Sequence, residues 1–535
     1  MIEQIINSLD RDWSESSQMS RRQFIINAGI ASGALITALS LTETNFAHAQ
    51  PSVISGPNDI VLLDAMDLSN SIRTKKVSCR EVMEAFLKQI ERINPKVNAI
   101  VSLQERADLL KQAEERDRQL AQGQYMGWMH GFPHAVKDLA ATAGIRTTLG
   151  SPIFKNSIPK ADALMVSRIK KNGAIIIGKT NTPEFGLGSQ TYNTVFGTTL
   201  NAYDQTRTSG GSSGGAAVSL ALRMLPVADG SDMMGSLRNP AGWNNIYSLR
   251  PSWGRVPAGP GGDVYYSQLS VLGPMARTVK DLAMLLSVQA GFDYEQPLGI
   301  AQDPAIFVNS LKRDFKGTKV AFLGDLNGYL PMEPGVLELC RKALKDFEAI
   351  GCVVEDALPN FNQDQLWQIW LTLRNFQMAG NYGSLYDDPA ARALMKPEII
   401  WEIESGRKFT AVDIFKAMTN RSNWYRSMLA LFRKYEYILI PSAQVFPFDA
   451  KMHWPKEIAG KKMDTYHRWM QIVILASLLG VPTGTFPVGF NAEGLPMGMQ
   501  VMGKPQSDLS VLQLAYAYEQ ATGWVQKRKP ALLQG

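Results

Sequence analysis

Between Cys79 and Ile93 the apolar residues Val82, Phe86, Ile90 and Ile93 recur at helical spacing, which predicts an amphipathic helix. Ala163 to Lys171 predicts a second helix, and Ala174-Ile175-Ile176-Ile177-Gly178 a buried strand directly after it. Lys319-Val320-Ala321-Phe322-Leu323 and Tyr437-Ile438-Leu439-Ile440-Pro441 read as further strands. Helical and strand patterns alternate along the chain, so the predicted class is α/β, with helices covering a sheet. No internal repeat or long low-complexity segment interrupts this.

Composition adds little beyond ruling classes out. The chain has 535 residues, 45% of them hydrophobic, enough for a large core. Its formal charge of +6 is modest for that size, and no basic run interleaved with aromatics points to nucleic acid. Cys79, Cys340 and Cys352 are too few for a disulfide framework, although a Cys340–Cys352 pair stays open. Those cysteines, with His130, His134, His453 and His467, show no metal-ligand spacing, and no cofactor is expected. A Ser-His-Asp triad is not supported either, since no Gly-x-Ser-x-Gly elbow accompanies these histidines, which read as structural or solvated.

The candidate chemistry lies in Gly210-Gly211-Ser212-Ser213-Gly214-Gly215, in Gly235-Ser236-Leu237-Arg238, and in Lys137 with its mostly apolar neighbours. By composition the first stretch could be a flexible linker. The structured-looking Val218-Ser219-Leu220-Ala221-Leu222 that follows it argues otherwise. A serine hydroxyl needs a base, and a buried lysine can be one because desolvation disfavours its ammonium form. Glycine lets backbone N–H groups approach a developing oxyanion. Together these residues point to a serine-type hydrolase acting on amides.

At this point the chain resembles the amidase signature family. The resemblance is carried by Gly210–Gly215, by Ala228-Asp229-Gly230-Ser231-Asp232, by Gly235-Ser236-Leu237-Arg238 with Pro240, and by Leu249–Val256. Gly178–Phe185, Tyr437–Pro441 and Gly494–Gln500 are also family-like, so it extends from roughly residue 60 to residue 525. It implies an amidase signature fold: a large mixed, twisted β-sheet core covered by α-helices on both faces, in a single catalytic domain over 50–535. It also implies a Ser-cisSer-Lys triad with Ser236 as nucleophile, Ser212 as bridge after a cis Gly211-Ser212 bond, and Lys137 as base. By the same resemblance the backbone amides of Met233, Met234, Gly235 and Ser236 form the oxyanion hole. Ser213, Ser231, Asp232 and Arg238 are accessory.

The sequence departs from that pattern in places. Met234 stands where the family usually has glycine, which is awkward if the position needs positive φ. Ser231 replaces a usual threonine and keeps the hydroxyl, and Asn244-Asn245 replaces a smaller or cysteine-containing pair. Residues 300–470 match the family loosely and hold Trp367, Trp370, Phe376, Tyr382, Tyr386, Trp424, Tyr425, Trp454, Tyr466 and Trp469. Most read as helix core. The resemblance assigns acyl-pocket shaping to this region, which favours an aromatic or other apolar acyl group.

The first residues read as an address. Ser20-Arg21-Arg22-Gln23-Phe24-Ile25 is close to a twin-arginine export signal, an apolar stretch runs from Phe24 to Leu41, and Ala47-His48-Ala49 reads as a cleavage site. Residues 1–49 are therefore expected to be removed after export by the twin-arginine machinery, leaving a periplasmic or secreted protein. The partner expected otherwise is a small-molecule amide. The oligomeric state is open, a homodimer included. Two alternatives to an amidase stand: an amidotransferase A subunit supplying ammonia for tRNA-linked amidation, and a non-catalytic binding protein on the same scaffold.

Overall fold

The computed structural model describes residues 57–259 and 263–534. The predicted signal segment, with Arg21, Arg22 and Ala47–Ala49, lies outside them. The helix predicted from Cys79 runs Cys79–Val97. It starts in a capping box: Ser78 Oγ accepts the Glu81 N–H, while Glu81 accepts the Ser78 N–H at 2.8 Å. It buries Val82, Phe86, Ile90 and Ile93 as the spacing required, then continues one turn past Ile93 because Val97 extends the buried stripe. Asn94 Oδ1 secures that end by accepting the Ala99 and Ile100 N–H groups.

Two larger sheets position the site, beside two two-stranded ones among the described residues. The smaller of the two contains β1 (Ile100–Val101), β2 (Pro133–Lys137) and β3 (Ile175–Thr180), in the order β1-β3-β2. The large one is mixed. Its strands are β4 (Ala228–Asp232), β5 (Tyr247–Arg250), β6 (Val271–Ala276), β7 (Lys319–Phe322), β8 (Val353–Asp356), β9 (Tyr437–Pro441), β10 (Thr483–Phe490) and β11 (Pro496–Gly503). Their order is β8-β7-β9-β11-β10-β5-β6-β4. β8, β7 and β9 are parallel neighbours, and every other pairing in this sheet is antiparallel. Helices pack against it, among them Val336–Ala349 and Asp508–Thr522, to give the mixed α/β architecture of the predicted class.

This layout positions the candidate chemistry at element ends. All five residues of β2 are buried, as its apolar reading requires, and Lys137 is its last residue, paired in register with Thr180. Ser212 and Ser213 precede the buried helix Gly214–Ala221. Ser236 sits in the turn between β4 and the short helix Arg238–Trp243. Cys79, Cys340 and Cys352 are all free and buried, so the open Cys340–Cys352 pairing is not made.

Candidate active site

Lys137 is 1% exposed and its Nζ is surrounded by oxygens. Ser212 Oγ and Ser213 Oγ each lie at 2.8 Å, Ser231 Oγ at 3.0 Å and the Ser231 carbonyl at 3.3 Å. A neutral amine donates two hydrogens and still offers a lone pair, so one of the three hydroxyls can donate to it. Burial lowers the Lys137 ammonium to about 7, and the nearby Asp232 and Asp229 carboxylates oppose the shift. An amine in this position is available to take a proton near neutrality.

Ser212 is reached across the Gly211-Ser212 peptide bond, which is cis. Ser236 joins the same loop through its backbone: its carbonyl accepts the Ser213 N–H at 3.1 Å. Its hydroxyl has no hydrogen-bond partner among the described residues, and the residue keeps 6% exposure. The structure thus brings Lys137, Ser212, Ser213, Ser231 and Ser236 together. It leaves the Ser212-to-Ser236 hydrogen bond unmade, as catalytic contacts often are before substrate binds.

The turn that carries Ser236 is held by Asp232 and Arg238. Arg238 Nε and Nη2 reach the two Asp232 oxygens at 2.9 Å each, and Arg250 Nη1 adds a third cationic contact at 3.1 Å. All three side chains are fully buried. The cations hold the Asp232 carboxyl far below the usual carboxylate range against its burial. Arg238 Nη1 also meets Gln500, whose amide donates to the Pro441 carbonyl at 2.8 Å. The family-like C-terminal motif is therefore a brace for the turn that carries Ser236.

One expected role changes. The Gly235 N–H donates to Asp232 Oδ1 at 3.0 Å, so it is occupied, whereas the other three amides expected for an oxyanion, those of Met233, Met234 and Ser236, have no such bond among the described residues. Gly235 serves the turn instead: its φ is +80°, and a Cβ there would lie 2.9 Å from Val473 Cγ1. Met234 has no positive φ and buries its side chain, so it needs no glycine-like conformation.

Of the aromatics, Trp367, Trp370, Trp424 and Trp469 belong to the main core. Tyr382 does not. Its ring meets that of Phe185 at a tilt of 45°, with centroids 4.6 Å apart, in a second apolar cluster with Leu187, Met378, Ile399 and Ile403 that Met233 packs against. The adjoining Gly186 (φ +71°) brings that wall to the bridge, since a Cβ there would lie 3.4 Å from Ser212 Oγ. A cavity of about 290 Å³ is lined by Lys137 itself with Leu139, Ala140, Ala163, Ser231 and Leu272.

Sequence reasoning missed the histidine at this site. His134 lies buried, with Nε2 2.9 Å from Asp229 Oδ1, and Asp229 Oδ2 accepts the Lys137 backbone N–H at 3.2 Å. A polar residue inside the otherwise apolar Pro133–Val136 run was the available signal. Arg374 is another: it pairs with Glu402 at 2.7 Å, and its Nη1 lies 3.1 Å from Met233 Sδ.

Comparison with known proteins places these motifs in context. A family model described as Amidase matches residues 81–512. An acylamidase of Rhodococcus erythropolis is 31% identical over 473 residues, covering 88% of this chain and 97% of its own. The A subunit of the glutamyl-tRNA(Gln) amidotransferase of Thermus thermophilus is 33% identical over 493 residues, covering 86% and 99%. Among solved structures, a bacterial aryl acylamidase of the amidase signature family superposes with a TM-score of 0.81 at 28% identity, covering 87% and 97%.

Proposed function

Because the chain belongs to the amidase signature family, we propose that it hydrolyses a carboxylic amide to the acid and ammonia or an amine through an acyl-enzyme on Ser236. The observation that carries this is the Lys137 amine, buried among three serine hydroxyls and lowered to about 7. Neutral Lys137 takes the Ser212 proton, Ser212 takes the Ser236 proton, and Ser236 Oγ bonds to the substrate carbonyl carbon. The negative charge that moves onto the carbonyl oxygen is met by the Met233, Met234 and Ser236 N–H groups. Collapse breaks the C–N bond as the relay returns a proton to the leaving nitrogen. Water, deprotonated by the same relay, then releases the acid.

The acyl side faces the Phe185, Met233 and Tyr382 wall, which favours aryl or other apolar acyl groups. Similarity to an acylamidase and an aryl acylamidase supports the same substrate class. The Arg21-Arg22 signal supports export to the periplasm or beyond. The second reading, an amidotransferase A subunit, draws on the comparable similarity to that protein from Thermus thermophilus. Purified protein, without partners, is to be tested on aliphatic, aromatic and peptide amides and labelled with a fluorophosphonate. Turnover of simple amides together with labelling of Ser236 supports the amidase. Labelling without turnover turns the assignment to the amidotransferase, and neither result leaves a binding protein.

A further inference from the structure

His134 and Asp229 are both buried beneath the candidate base, and neither has a place in the relay. They come from different strands, 95 positions apart, and meet at 2.9 Å through Nε2 and Oδ1. The other ring nitrogen, Nδ1, is buried with no partner among the described residues. A protonated ring would leave an N–H unsatisfied there, whereas the neutral ring carrying its hydrogen on Nε2 leaves only a lone pair. The hydrogen bonds therefore fit a ring that donates from Nε2 to Asp229 and keeps a lone pair on Nδ1.

The surroundings decide where the charge of Asp229 acts. Asp232 is neutralised by Arg238 and Arg250. Lys179, from β3, donates to the Ala140 carbonyl and Thr142, and Asp138 accepts from Thr148 and Gly150. The helix Gly214–Ala221 brings no titratable group. The helix Cys79–Val97 meets this region with Cys79, beside Gly131 at the far end of β2. Beside the ion-paired Asp232, Asp229 is thus the second carboxylate that raises Lys137, and its Oδ2 also grips the Lys137 backbone.

We propose that Asp229, oriented by His134, is a positioning residue that sets the proton affinity of Lys137. Burial alone strips a lysine of basicity, and a base that has lost too much of it cannot pull a proton through two hydroxyls. A fixed negative charge restores part of that affinity, so the base stays strong enough to work yet neutral at the working pH. This rests on the reading of Lys137 as base.

The test is the pH dependence of amide turnover and of fluorophosphonate labelling of Ser236. In Asp229→Asn the rising limb should move to lower pH by about one unit, with a lower plateau and an unchanged KM. His134→Gln, which still offers an N–H to Asp229, should keep the limb in place, and His134→Phe should move it in the same direction as Asp229→Asn. If Asp229→Asn does not fold, the two His134 variants decide. A limb fixed at the wild-type pH in folded Asp229→Asn or His134→Phe, with only the rate reduced, overturns the proposal and leaves Lys137 as base. A limb that survives Lys137→Ala takes both readings down.

Discussion

Asp232 and Arg238 stand on either side of Ser236 and close its turn with two contacts of 2.9 Å in a fully buried ion pair. Asp232 also takes the Gly235 and Leu237 N–H groups, so one carboxylate organises the backbone before and after Ser236. A buried pair is weak evidence for net stability, but breaking one is costly because it strands the other charge.

Asp232→Ala is therefore expected to cost about 3–5 kcal/mol of folding stability, measured by denaturant unfolding, because it leaves Arg238 and Arg250 unpaired. The pH sign follows from the depressed folded value of Asp232. Its contribution is present above the unfolded carboxylate value, near pH 4, and is lost as pH falls towards the lower folded value. Wild-type protein should thus lose stability relative to the variant as the solution is acidified below that point.

Ser236→Ala should remove covalent labelling and lower turnover by roughly a thousandfold or more, with the thermal transition close to wild type. The hydroxyl has no partner among the described residues to leave stranded, so the fold does not depend on it. Turnover at wild-type rate in that variant would falsify the nucleophile assignment.

Much of this site was legible in the sequence because glycine-rich turns and a lysine closing an apolar run are local signals. Lys137, Ser212, Ser213, Ser231 and Ser236 converge as their motifs imply. The helix from Cys79, the strand through Ile175–Ile177 and the strand at Tyr437 were readable from periodicity. What was not legible depends on contacts between distant segments. His134 and Asp229 each sit inside an ordinary-looking strand, and only the packing of β2 on β4 joins them. The Gly235 N–H is spent on Asp232, which only the turn's closed geometry shows. The apolar wall beside Ser212 draws Phe185 from one motif and Tyr382 from the loosely matching region, and no spacing rule links them.

Phe185→Ala should change substrate preference rather than abolish activity. The ring meets Tyr382 at a tilt and packs in the wall that Met233 joins, so on the proposed reading its loss removes apolar contact from the acyl group. KM for aryl acyl amides is expected to rise about tenfold, in line with the loss of one aromatic contact. Short aliphatic amides should change less. An equal change across the whole amide panel would place the acyl group elsewhere.

Replacing Arg21 and Arg22 by lysine should keep the protein in the cytoplasm, as expected if the twin-arginine route reads this pair. Cell fractionation with N-terminal sequencing of the delivered protein checks both the route and trimming after Ala49. Unchanged delivery to the periplasm would rule that route out.

The pH dependence of turnover tests Lys137 directly. Ammonium cannot accept a proton, so only the neutral fraction is active. Burial lowers the group to about 7, so the rate should rise through that region and level off above it. An exposed lysine, with its usual value near 10.4, would keep the rate climbing far into the alkaline range. Lys137→Ala should remove the limb together with most of the rate. Lys137→Arg should not restore either, because guanidinium stays charged and cannot serve as the base. Chelators should leave the rate unchanged, since every step of the relay runs through hydroxyls and an amine. A profile in Lys137→Ala that still rises through pH 7, or chelator inhibition reversed by added zinc, would show that another group takes the proton from Ser212.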